Sequence, residues 1–164
     1  MTAVTSGLVF LFLFTQIAMP ETVDELMDLL PDQIEGYYSD DPLVEFDEAD
    51  SSYVSRVSKL YYTIHGESVQ LEWTNHNANP NHFDEEVGQL PSFDLPGFFP
   101  DALAEMPVGV AREENEVVYG FYFEDRRIVF SMTVTADEDE EQEELARAVI
   151  DRIDTNGLMA WEGF

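Results

Sequence analysis

The chain has no cysteine and a single lysine, Lys59. Without cysteine there is no disulfide framework, no thiolate zinc site and no cysteine nucleophile. Cations of any kind are scarce: seven Lys and Arg stand against 35 Asp and Glu, for a formal net charge of −28. Phosphate contacts need clustered basic residues, and the one basic pair is Arg126–Arg127, so no nucleic-acid partner is expected. The compact signatures of chemistry are missing as well. There is no G-x-S-x-G elbow, no Gly-rich phosphate loop and no H-E-x-x-H pair. Nucleophilic and nucleotide chemistry therefore lack support, and no cofactor is expected.

What is present is a composition that folds. In 164 residues, 45% hydrophobic and 13% aromatic, there is enough apolar material for one domain with a real core. The acids are spread along the chain, in "ETVDELMD", "SDDPLVEFDEAD", "FDEE", "REENE" and "ADEDEEQEE". A nucleic-acid mimic or a binder of one basic partner often concentrates its charge in a block, so the spread favours general solvation. Self-repulsion of this size opposes compaction unless counterions screen it, and at molar salt the Debye length falls to roughly 3 Å. Extreme acidity, one lysine and folded-type apolar content together resemble proteins of halophilic archaea. That resemblance is one of composition and points to no family. It implies solvent cations at high salt as the main counter-charges.

Along the chain, Val23, Leu26, Met27, Leu30 and Ile34 form one helical stripe, which Pro31 interrupts. Residues 37–52 read as acidic and turn-rich, with a short strand at Leu43–Phe46. Two hairpins follow. In the first, Leu60, Tyr62 and Ile64 alternate with Tyr61, Thr63 and His65, and Val69, Leu71 and Trp73 with Gln70, Glu72 and Thr74. In the second, Tyr119, Phe121 and Phe123 share a face, "EDRR" turns, and Ile128, Phe130, Met132 and Val134 share a face. The acidic run Asp137–Glu144 leads a helix striped by Leu145, Val149, Ile150 and Ile153, with Gly157 marking its end. The order predicts an α+β domain: an antiparallel sheet of about five strands with N- and C-terminal amphipathic helices packed on one face. The domain spans residues 20–157, between an apolar N-terminal segment (1–19) and an apolar C-terminal tail (158–164).

The stretch "GLVFLFLFTQIAMPET" (residues 7–22) carries no charge before Glu21. It has the apolar core of an export signal but no basic flank, and as a membrane span it is marginal. Three readings stay open: signal or anchor, buried strand, or sequence upstream of a true start at Met19. The leading expectation is a cytoplasmic protein; the alternative is membrane attachment through residues 7–19, or export.

Paired carboxylates are too abundant to nominate an acid and a base. His76 and His82, with Asp84 close behind, are the candidate metal ligands, at a spacing that matches no specific metal motif. Phe93, Leu95, Phe98 and Phe99 crowd a Pro- and Gly-punctuated segment, and Trp161 and Phe164 end the chain. Exposed, they would form a partner-binding patch; folded back, they would cap the core. The expected function is a non-enzymatic accessory or protein-interaction domain, with another protein as partner. The alternative is a small-ligand-binding or metal-dependent hydrolytic protein with its site near residues 75–100.

Overall fold

A computed structural model describes residues 21–47, 53–78, 108–113 and 115–163. Helix α1 (Glu21–Asp28) carries Glu21 and Asp24 in its first turn, where carboxylates complement the positive end of the dipole, and buries Val23 and Leu26. The apolar stripe outlasts the helix. Pro31 disfavours helical geometry in the residue before it, and the chain leaves through i→i+3 bonds. Leu29 N–H donates to Leu26 O (3.2 Å) and Leu30 N–H to Met27 O (3.1 Å), while Leu30 and Ile34 still reach the core.

Strands β1 (Tyr38–Ser39) and β2 (Leu43–Phe46) both pair antiparallel with β3 (Val54–Tyr62), Tyr38 opposite Tyr62 and Leu43 opposite Ser58. They are two pieces of one edge, broken at Asp40–Asp41–Pro42, because proline has no N–H to give to a ladder. The expectation of about five strands is corrected here: the described residues form seven. Leu43–Phe46 is the short strand that the sequence marks, while the acids and Pro42 make Tyr38–Ser39 read as turn, yet its backbone is paired.

β3 turns through Gly66, at φ +100, into β4 (Ser68–Asn75). β5 (Val108–Glu113), β6 (Glu116–Phe123) and β7 (Ile128–Thr135) form a second meander. Leaving aside β2, which also pairs with β3, the sheet runs β1-β3-β4-β7-β6-β5, antiparallel throughout. Each half of the chain thus supplies three strands' width, and the halves meet along β4 and β7, from Ser68 opposite Thr135 to Asn75 opposite Ile128.

The α+β antiparallel architecture stands. One sheet face carries Val57, Tyr61, Val69, Leu71, Trp73, Phe121, Phe130 and Met132, all buried. Across the join Trp73 stacks on Phe130 (4.6 Å between centroids, 11°), and Phe130 on Phe121 (5.3 Å, 18°). Each pair contributes about 0.5–1.5 kcal/mol beyond its buried area. The lone lysine lies on this face too, between Val57 and Tyr61. Lys59 is 8% exposed, its ammonium 5.5 Å from the Tyr61 ring centroid.

Helix α2 (Asp139–Ile150) buries Gln142, Ala146, Val149 and Ile150 and turns its carboxylates outward. Gln142 Nε2 donates to Ala136 O (3.1 Å), tying the helix start to the end of β7. Helix α3 (Thr155–Ala160) contains Gly157, which the sequence marks as a terminator. The reason is the cap: Asp154 accepts from Gly157 N–H (2.9 Å) and opens a new helix there. Leu158 is buried, and the Trp161 indole donates to Thr22 O (3.1 Å) in the first turn of α1. Arg126 donates to Leu158 O (3.4 Å) and Met159 O (2.6 Å), cations suiting the carbonyl end of a helix.

A Cβ at Gly157 would sit 2.5 Å from Leu29 Cδ2 and 2.7 Å from Asp154 Oδ2, so Gly157→Ala should cost about 1–3 kcal/mol in urea unfolding at molar KCl. Tyr61 donates to Pro31 O (2.8 Å), and burial, with the Asp32 charge adding, pushes its phenol well above the ordinary tyrosine range. The folded state therefore keeps a proton that the unfolded chain releases. Stability from this group is intact below about pH 10 and falls as pH rises beyond it, by about 1.4 kcal/mol per pH unit. Tyr61→Phe should remove that share of the alkaline slope; an unchanged slope would contradict the assignment.

Candidate functional site

Asn75 is the last residue of β4, and Tyr53 immediately precedes β3, so antiparallel pairing brings them to the same end of the sheet. The Tyr53 hydroxyl donates to Asn75 Oδ1 (2.6 Å) and accepts from Ala78 N–H (3.0 Å). Asn75 Nδ2 donates to Val54 O (3.1 Å), and Oδ1 also accepts from Asn77 N–H (3.1 Å). A side-chain oxygen accepting from the amide two residues on is an Asx turn, which asparagine makes readily. The turn is clamped to the neighbouring β6–β7 connection. His76 N–H donates to Arg127 O (2.9 Å) and Asn77 Nδ2 to Arg126 O (3.1 Å). Arg127 occupies the left-handed region at φ 52, which aims its carbonyl for this contact at some backbone cost.

Beside the turn, Arg56 forks onto Glu45 (Nε to Oε2, 3.0 Å; Nη2 to Oε1, 2.6 Å), with Glu72 at 3.8 Å. Arg56, Glu45, Tyr53, Thr74, Asn75 and His76 line an open cavity of about 280 Å³, together with Asp47, Ser55 and Ala78. Burial raises the Tyr53 phenol above its usual range. The Ala78 and Asn77 amides oppose the rise and the Asp47 charge adds to it. At neutral pH Tyr53 is a fixed proton donor to Asn75, not a base. The cluster orients and holds; its hydrogen bonds are spent on the chain itself.

Of the candidate metal ligands, His76 lies at this cavity, 8% exposed. His82 and Asp84 lie outside the described residues. Among the described residues, no group of three His, Cys, Asp or Glu is placed to hold a metal ion. Phe93, Leu95, Phe98, Phe99 and Phe164 also lie outside the described residues, while Trp161 is buried in the core. Two further cavities, of about 300 and 360 Å³, flank the start of α2 and are lined by Glu67, Glu141 and neighbouring carboxylates. Sequence reasoning passes over Asn75 and Tyr53. The N-x-N spacing after a strand signals an Asx turn, but Tyr53 joins it only through strand pairing.

Asn75→Ala would strand the Tyr53 hydroxyl, Val54 O and the Asn77 amide together, and should cost about 2–3 kcal/mol, against about 1 kcal/mol for Tyr53→Phe. Urea unfolding at molar KCl measures both, and a negligible loss in Asn75→Ala would contradict the clamp. Comparison with protein-family models, with curated proteins and with solved structures found no match.

Proposed function

We propose that the chain is a non-enzymatic, salt-adapted accessory domain that binds another protein through one corner of its sheet. The observation that carries this is the placement of exposed apolar side chains. Among the described residues, the large hydrophobic side chains that stand exposed are Tyr38 (57%), Leu43 (58%) and Ile64 (76%). All three fall where β1 and β2 flank β3 and its hairpin tip. Half-buried Leu60 and Tyr62 extend the same surface on the sheet face opposite Val57 and Tyr61.

The rest of the surface supports the salt-adapted part. None of the described carboxylates is buried. In this proposal the helices form one acidic layer over the core face and leave the β1–β2–β3 corner of the opposite face for the partner. Molar salt cuts charge attraction to contact range, whereas apolar contact persists, so the corner is where a partner can be held. A cytoplasmic setting belongs to the same proposal. Among the described residues, no helix is long and apolar enough to cross a membrane. The second reading, ligand or metal chemistry near residues 75–100, draws its support from His76 beside the 280 Å³ cavity.

Circular dichroism followed from molar KCl down to tens of millimolar should show loss of structure; an unchanged spectrum would remove the salt adaptation. For the docking corner, Leu43→Asp combined with Ile64→Asp should keep the fold and lose a protein that the unaltered chain retains from lysate at molar KCl. Retention by the variant would remove the corner from the account. Stoichiometric metal that disappears in His82→Ala would favour the second reading instead.

A further inference from the structure

Resting on the docking reading above, we infer that this corner selects a partner segment carrying arginine or lysine beside aliphatic side chains, the cation seated against Tyr38 and Tyr62. These two residues are direct cross-strand partners, with ring centroids 5.8 Å apart and planes tilted by 31°. The Tyr62 hydroxyl donates to Asp40 Oδ1 (3.3 Å), and Asp41 follows, exposed. The Asp40 charge in turn holds the Tyr62 phenol above its ordinary range, so carboxylate and ring act on one another. Electron-rich ring faces beside carboxylates form a surface that attracts a cation twice over.

Carboxylates cover this molecule and cannot distinguish one patch from another. The paired rings can. Cation–π attraction acts at contact, so it survives a Debye length of roughly 3 Å that erases longer-range steering. The cation must come from outside. The arginine on this sheet face, Arg56, is forked onto Glu45, and among the described residues no Lys or Arg pairs with Asp40 or Asp41. Leu43 and Leu60 supply the apolar floor, Leu43 opposite Ser58 and Leu60 between Ser58 and Tyr62 along one face of β3. The break at Asp40–Asp41–Pro42 denies a continuous ladder to an added strand. The segment is therefore recognised by side chains across the face, not by backbone pairing at the edge.

The test titrates two labelled eight-residue peptides into the full chain at molar KCl: one alternating leucine and arginine, the other with neutral citrulline in place of arginine. The arginine peptide should bind about tenfold tighter. Tyr38→Ala, and separately Asp40→Asn with Asp41→Asn, should bring it toward the citrulline level, while Leu43→Asp should weaken both peptides. Equal affinity for the two peptides would overturn the cation preference and leave the docking corner standing. Undiminished binding to Tyr38→Ala, or binding of neither peptide, would overturn the inference as well. A concentration-dependent dimer that Leu43→Asp dissolves would also overturn it, assigning the corner to a second copy of the chain.

Discussion

The structure depends on the pairing of β4 with β7. These strands belong to different halves of the chain, and among the described residues their ladder joins β1–β4 to β5–β7, with the Trp161–Thr22 and His76–Arg127 contacts beside it. Hydrogen bonds alone would make a weak seam, since each contributes only about 0.5–1.5 kcal/mol net. The stacked run Trp73–Phe130–Phe121 adds a desolvated aromatic ladder across three adjacent strands. Loop-closure cost grows slowly with length, about 0.6 kcal/mol per doubling, so the long connection between β4 and β5 is tolerable once that seam is made.

With burial concentrated on one face, the charges fall into order. Three of the six arginines have definite structural duties. Arg126 closes the carbonyl end of α3, Arg152 donates to Ala148 O (2.6 Å) at the end of α2, and Arg56 bridges β3 to β2 through Glu45. That leaves little protein cation to answer the surface carboxylates, which is why the proposed function gives that role to salt. It also explains why the exposed Tyr38, Leu43 and Ile64 at the β1–β2–β3 corner draw attention. On a surface of charge, they are the part that water does not favour.

Much of the fold is legible in the sequence where apolar period and secondary structure agree. Ile128, Phe130, Met132 and Val134 alternate and are buried together, and Val149 and Ile150 end a helical stripe that meets the core, with Ile153 buried just past the helix. In β3 the pattern underdetermines the answer. Leu60 and Tyr62 on one face are as apolar as Val57 and Tyr61 on the other, and the second face also carries Lys59. Only the cross-strand neighbours, Leu71 opposite Lys59 and Val69 opposite Tyr61, decide which side turns inward. Of the edge strands, Leu43–Phe46 shows in the sequence, whereas Tyr38–Ser39 is hidden for a different reason: edges are protected with charge and proline, so their composition imitates a turn. The Tyr53–Asn75 cluster is a long-range contact, 22 residues apart in sequence, and no local pattern encodes it.

The fold stands or falls on the seam. Native-state hydrogen exchange at molar KCl reads it directly, amide by amide. Amides of β4 and β7 should exchange only through global unfolding, with those of β1, β2 and β5 opening at lower free energy. If β4 and β7 exchange ahead of the outer strands, or if the two meanders open as independent units, the two halves are not held by this pairing and the account is wrong.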